Sequence, residues 1–312
     1  MYKKMLIPLD GSALAESVLP YAIQLAGRLD IDMVFLRVYS GEPTHYPSDC
    51  YDYLESTKER VKKAASEIQI QTGALATIGT GILVTPGYPA EEILKVARDQ
   101  NVDLIMMATH GYSGVRAWAI GSVADKVLRK STVPVFLVRA GMEPLESNES
   151  WVSKTLLVPL DGSKSAETAL LHVKTLAKQR SDVKINVKLL RIVEVLWATE
   201  DFPEAGITIS VENLRHARRL LVQQSEDYIS RIQRQLESEG VQVTTEVHAG
   251  EAASTIIEIA NRDHPGLIVM TTYGWSGEAG WGLTGEAGWD LGSDVNKVIH
   301  SVKCPVLLVR PG

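Results

Sequence analysis

Cysteine is nearly absent: the chain has two, Cys50 and Cys304, among 312 residues. Neither has a CxxC partner, so no zinc site is expected. The two lie at non-equivalent places in the two halves of the chain, so no disulfide framework is expected and a reducing cytosol is the plain reading. No apolar run approaches the roughly 20 residues that cross a bilayer, which argues against a membrane partner. The first residues, Met-Tyr-Lys-Lys, lead directly into a strand-like run rather than a signal-peptide apolar region. Basic excess is missing too. The formal net charge is −6 with no long basic run, which argues against nucleic acid as a partner. The histidines show no metal-ligand spacing, and no G-x4-G-K-[ST] loop occurs. A cytoplasmic globular protein without a protein-built metal site is the expectation.

What is present is repetition. Residues 5–12 (MLIPLDGS) return as 156–163 (LLVPLDGS), 104–111 (LIMMATHG) as 267–274 (LIVMTTYG), and 133–139 (VPVFLVR) as 304–310 (CPVLLVR). The blocks recur in one order, so the chain is a tandem duplication of a unit of about 150 residues. Domain 1 is expected at 1–141, a polar linker at 142–153 and domain 2 at 154–312, each long enough to bury its own core.

In the first copy, apolar runs at 5–8, 33–38, 78–85, 104–108 and 134–138 read as strands. Helical spacing runs from the Ser12 cap to Leu29, and again over 51–71, 89–99 and 123–130. The second copy follows suit, with strands near 156–159, 185–192, 242–248, 267–270 and 306–309 and a long charged helix over 211–239. Fully apolar strands alternating with helices imply a parallel, doubly wound α/β sheet in each copy. Ligands of such sheets sit beyond the strand C-termini, where strand order reverses.

Two loops emerge at that edge in both copies. After the fourth strand come Ala108-Thr109-His110-Gly111, nine residues, then Gly121-Ser122 opening a helix. Glycine-rich backbone can form an anion nest, and a helix N-terminus adds amide groups and a positive dipole end. Together they suit a polyphosphate, with the Ser122 hydroxyl as a further donor. Alternatively Ser122 caps the helix, with Asp125 completing a capping box. After the first strand, Pro8-Leu9-Asp10-Gly11-Ser12 matches Pro159-Leu160-Asp161-Gly162-Ser163. That aspartate either closes an Asx-turn or accepts a hydrogen bond from a ligand amine or hydroxyl. His110 is a polar loop residue or phosphate-side donor rather than a shared acid–base, since its counterpart is Tyr273.

With these motifs the chain resembles a tandem universal stress protein, once per repeat and over nearly its whole length. Nucleotide-binding members of that family carry P-x-D after the first strand and G-x2-G-x9-G-[ST] after the fourth. The resemblance implies an adenine nucleotide alpha hydrolase-like fold: a five-stranded parallel sheet, order 3-2-1-4-5, between helices. It implies ATP, or alternatively AMP or ADP, with Mg²⁺ expected from ATP chemistry. Asp10 carries over as an adenosine contact and Val38 as an adenine-side contact. Gly111, Gly121 and Ser122 carry over as phosphate contacts, with Pro8, Met107, Ala108, His110 and Val123 completing the set. In the second copy the set is Pro159, Asp161, Ile192, Thr271, Gly274, Gly292 and Ser293. The resemblance also implies that the two copies pair through their last strands, as family dimers do. Whether a further homodimer forms stays open.

The motif departs from the family pattern in two ways. Its first glycine is Ala108 in one copy and Thr271 in the other, which keeps the backbone amide but adds bulk at Thr271. In the second copy seventeen residues, not nine, separate Gly274 from Gly292, because GEAGWGLT (277–284) is followed by its near-copy GEAGWDLG (285–292). A mobile insertion and weaker nucleotide binding at the second site are expected. The function expected is nucleotide-dependent conformation or partner binding in stress response or regulation, with at most slow ATP hydrolysis and no assigned catalytic residue. The alternative is a dimerisation module of the same fold that binds no nucleotide. Adenylate-forming enzymes are disfavoured, since neither an SGGxDS nor a HIGH motif occurs.

Overall fold

A computed structural model describes residues 2–39, 48–74, 77–110, 120–139, 154–180, 184–194, 211–272 and 291–311. The linker, Gly111, Tyr273, Gly274 and most of the 277–292 insertion therefore lie outside the described residues.

In the first copy, β1 (Lys4–Pro8), β2 (Asp32–Tyr39), β3 (Thr80–Pro86), β4 (Leu104–Ala108) and β5 (Val135–Val138) pair in the order β3-β2-β1-β4-β5, all parallel. In the second copy, β6 (Leu156–Pro159), β7 (Asn186–Val193), β8 (Gln242–Ala249), β9 (Leu267–Thr271) and β10 (Val306–Val309) take the mirrored order β10-β9-β6-β7-β8. The expected doubly wound α/β fold, with strand order 3-2-1-4-5, is present twice. Every residue of β4 and β9 is buried, because helices cover both faces of the sheet.

Helices α2 (Leu19–Leu29) and α3 (Ser48–Gln71) pack on one face; α4 (Pro89–Asp99) and α5 (Ser122–Lys130) pack on the other. Their counterparts are α7 (Ala169–Ala177), α8 (Val211–Ser238), α9 (Ala252–Asp263) and α10 (Ser293–Ser301). One expectation needs correction. The helix after Ser12 is not continuous: α1 (Ala13–Glu16) ends before α2, and α6 (Lys164–Glu167) ends before α7. Both copies place a hydroxyl at the break. Ser17 Oγ donates to Leu14 O at 2.7 Å and Thr168 Oγ1 to Ser165 O at 2.6 Å, so a side chain engages a carbonyl of the preceding turn.

The two sheets join through β5 and β10, which pair antiparallel with Phe136 opposite Leu307. The apolar core on each face is continuous across both repeats. Polar contacts reinforce the junction. Arg139 Nη1 donates to Val302 O at 3.2 Å, and Arg310 Nη2 donates to Leu128 O at 3.0 Å. Arg180 grips Asp30 with two bonds of 2.5 and 2.7 Å. The buried Tyr2 hydroxyl meets His172 Nδ1 at 2.5 Å. Burial pushes the His172 pKa down to about 4, so at neutral pH its ring is uncharged.

A charged network lies along β7, β8 and α9. Lys188 Nζ contacts Glu246 at 2.8 Å and Asp263 at 2.7 Å, while Arg262 and His248 reach Glu246 at 3.0 and 2.6 Å. Burial alone would raise Glu246, but hydrogen bonds from Arg262, Lys188 and His248 outweigh it and hold the carboxyl at about 2, below its ordinary 4.5. A lowered carboxyl stabilises the fold above its unfolded value and ceases to as pH falls through the folded one. Glu246→Gln is therefore expected to cost about 1 kcal/mol at pH 7, a cost that fades between pH 4.5 and about 2. Urea midpoints at pH 7 and pH 2.5 check this; an equal cost at both would refute it.

Candidate functional site

Strand order reverses between β1 and β4, and a cleft of about 180 Å³ opens there at the strand C-termini. Its first wall is the turn after β1. Gly11 adopts φ +82° and Gly162 φ +89° in the second copy, torsions that side-chain-bearing residues resist. Asp10 Oδ1 accepts from the Ser12 amide at 3.0 Å and from its hydroxyl at 2.6 Å, and Ser12 Oγ caps α1 by accepting from the Ala15 amide at 3.1 Å. Asp161, Ser163 and Ala166 repeat this arrangement at 2.9, 2.6 and 3.0 Å. The Asx-turn is thus real in both copies, and it presents the carboxylate at the cleft rim, where Asp10 is a lining residue.

The second wall is the start of α5. Its N-cap is Gly121, not Ser122, and among the described residues no side chain caps the helix. Asp125 bonds Arg129 at 3.0 Å instead of closing a capping box. Ser122 is accordingly the first helical residue, exposed, and the first-turn amides of Ser122, Val123 and Ala124 have no carbonyl partner within the helix. Gly121 is required by close approach. Its amide donates to Thr109 O at 2.8 Å, and a Cβ at this position would lie 2.9 Å from that oxygen. Gly292 likewise N-caps α10 and donates to Thr272 O at 3.2 Å.

Between these walls apolar and polar side chains line the cleft together, the usual make-up of a small-molecule site. Leu36, Val38, Pro89, Ile93, Met107 and Val123 form the apolar part; Asp10, Thr109, His110 and Ser122 supply polar groups. His110 Nδ1 lies 3.1 Å from Thr109 Oγ1. Burial, then the charges of Arg139 and His300, hold the His110 pKa below its ordinary value, so the ring is neutral at pH 7.

Of the first-copy residues expected at the site, Pro8, Asp10, Val38, Met107, Ala108, His110, Gly121, Ser122 and Val123 all line this one cleft, and Gly111 lies outside the described residues. In the second copy Pro159 ends β6, Thr271 ends β9, Ile192 is near the end of β7, Asp161 follows β6, and Gly292 and Ser293 open α10, all at the same sheet edge. Gly274 is outside the described residues.

The sequence reading missed Leu36, Pro89 and Ile93 as cleft residues. Leu36 was recoverable, since strand residues two apart share a face with Val38; Pro89 and Ile93 depended on where α4 docks. It also missed Arg37 and Arg191, which occupy matching places in the two copies. Arg37 Nη1 lies 3.1 Å from where a Gly11 Cβ would be, and Arg191 lies similarly over Gly162. Both arginines therefore brace the turn that carries the aspartate. Their signal was the paired Leu-Arg-Val and Leu-Arg-Ile at 36–38 and 190–192.

These features define a tandem of doubly wound α/β domains, the first opening a cleft at its switch point. The chain belongs to the universal stress protein family, whose sequence profile matches residues 1–139 and 153–310. Universal stress protein YxiE of Bacillus subtilis is 28% identical over 152 residues, spanning 45% of this chain and 100% of that protein. Universal stress protein MJ0531 of Methanocaldococcus jannaschii is 30% identical over 151 residues, 45% of this chain and 83% of its own. The crystal structure of a universal stress protein from Archaeoglobus fulgidus covers 99% of this chain and 96% of its own at 19% identity and a TM-score of 0.61, a likeness of fold.

Proposed function

We propose that the chain binds ATP in the first-repeat cleft and transmits the bound state to partners in stress response or regulation. The observation that carries this is the N-terminus of α5, without a side-chain cap among the described residues and with Ser122 exposed at its first position, in a cleft that apolar residues also line at the strand-order switch point. Val38, with Leu36 and Ile93, would hold the adenine, Asp10 the ribose, and Gly111, Gly121 and Ser122 the phosphates. Among the described residues no His, Cys, Asp or Glu cluster could hold a metal, so Mg²⁺ would arrive on the phosphates themselves. Turnover would be slow at most: His110, the imidazole on the cleft wall, is engaged with Thr109.

The β5–β10 pairing supports a second part of the reading: the chain is its own antiparallel dimer, with domain 1 at 1–141, a linker at 142–153 and domain 2 at 154–312. A further homodimer would have to use another surface. The free thiols, Cys50 and the buried Cys304, fit a cytoplasmic setting.

Mass spectrometry of nucleotide released from the purified full chain, with calorimetric titration of ATP, ADP and AMP, tests the proposal. Bound adenine nucleotide and saturable ATP binding are expected. No binding at millimolar ATP would leave the dimerisation module as the better reading.

A further inference from the structure

Helix α4 opens on a residue ill suited to its place. The N-cap position favours a short side chain whose oxygen accepts from a first-turn amide, as Ser12 and Ser163 do for α1 and α6. At α4 that position holds Tyr88, which among the described residues makes no side-chain cap bond. The matching place in the second repeat holds Glu251, which pairs with Lys297 of α10. Tyr88 is also 76% exposed, whereas aromatic side chains ordinarily bury most of their area. For stability alone a small polar residue would serve α4 better. Local choices that work against the fold are expected where a residue serves function instead.

The position of Tyr88 supplies that function. Tyr39 pairs with Pro86 at the end of β2, and the Gly87 amide donates to Tyr39 O at 3.0 Å. Tyr88 therefore follows directly where β3 parts from β2, at the strand C-termini. The next residue, Pro89, lines the cleft, as does Ile93 one turn further on, beside Leu36 and Val38 of β2. That is the apolar wall assigned above to adenine. Consecutive Cα atoms stand about 3.8 Å apart, so a ring anchored next to Pro89 is within reach of a base lying on this wall. An exposed side chain reorients in picoseconds to nanoseconds, and a tyrosine has few torsions to order on closing. We propose that Tyr88 is a stacking residue for the nucleotide base, open in the free chain and closing over the outer face of an adenine held by Leu36, Val38 and Ile93. The inference rests on the ATP site proposed above and adds the side chain that covers it.

Tyr88→Ser tests this, because it removes the ring and supplies the missing cap. In calorimetric titration of the full chain it is expected to weaken ATP and AMP alike by about five- to thirtyfold, the worth of one base–aromatic stack. The same variant should raise the melting temperature of the free protein by about 1–3 °C. Tyr88→Phe keeps the stack and should bind within about twofold of wild type. Hydroxyl-radical footprinting reads the ring directly: Tyr88 should label strongly in the free chain and lose most of that labelling at saturating ATP. Unchanged ATP affinity in Tyr88→Ser, or labelling of Tyr88 that ATP leaves untouched, would overturn the inference and leave the ATP site standing. So would a loss confined to ATP, since the contact would then be with the phosphates. A loss accompanied by a lower melting temperature would overturn it too, since the ring would then be holding α4 in place. No binding of ATP or AMP by wild type would overturn both readings.

Discussion

Gly121→Val is expected to abolish ATP binding, lowering affinity by more than about 100-fold in calorimetry on the full chain. The reason is geometric. A Cβ at 121 would stand 2.9 Å from Thr109 O, and Gly121 itself donates to that oxygen at 2.8 Å. The obstacle is backbone and cannot rotate away, so the start of α5 must separate from the end of β4. The first-turn amides and Ser122 then leave the positions facing the cleft. Ser122→Ala removes one donor and no geometry, and should cost about three- to tenfold. Gly292→Val, at the matching place in the second repeat, is expected to leave the ATP stoichiometry unchanged. Circular dichroism establishes that each variant is folded. Normal ATP affinity in folded Gly121→Val would mean that the nucleotide lies elsewhere.

Phe136→Ala is expected to destabilise the protein by about 3–5 kcal/mol. Phe136 is 0% exposed, lies opposite Leu307 in the β5–β10 pair, and packs its ring 5.8 Å from that of Tyr21. Removing the ring leaves a cavity where the two sheets join, and the paired strands on both sides limit collapse. The apolar core runs through this junction on each face of the sheet, so urea denaturation should show both repeats lost in one earlier transition. A change below about 1 kcal/mol would contradict the burial argument. Two separated transitions, with only the first moved, would show instead that the repeats fold independently.

The part of the fold legible in the sequence is the part that local pattern controls. Apolar runs bounded by Asp-Gly and Gly-Ser turns place the strands, because a strand buried on both faces must be apolar throughout and its turns need special torsions. The break between α1 and α2 was not legible. Ser17 and Thr168 suit a helix interior or a turn, and only the bond each makes to a carbonyl of the preceding turn decides between them. The two readings open at Ser122 and Asp10 were resolved in different senses. Ser122 is not the cap, whereas Asp10 does make the Asx-turn while also lining the cleft. Both outcomes turn on where one residue falls relative to a helix or turn boundary, which periodicity locates only to within a residue or two.

Sequence alone determined the duplication, the doubly wound sheets, and the convergence of the Asp10 and Gly121 loops on one edge, since repeat identity, strand hydrophobicity and the handedness of parallel crossovers leave few alternatives. Tertiary structure alone decided the rest. It brought Pro89 and Ile93 onto the cleft wall, joined Tyr2 to His172 and Arg180 to Asp30 across the repeats, and tied Glu194 to the start of α9 and Glu251 to Lys297 of α10. Those contacts link residues tens to hundreds of positions apart. Their existence depends on how rigid elements dock, and no local pattern carries that information.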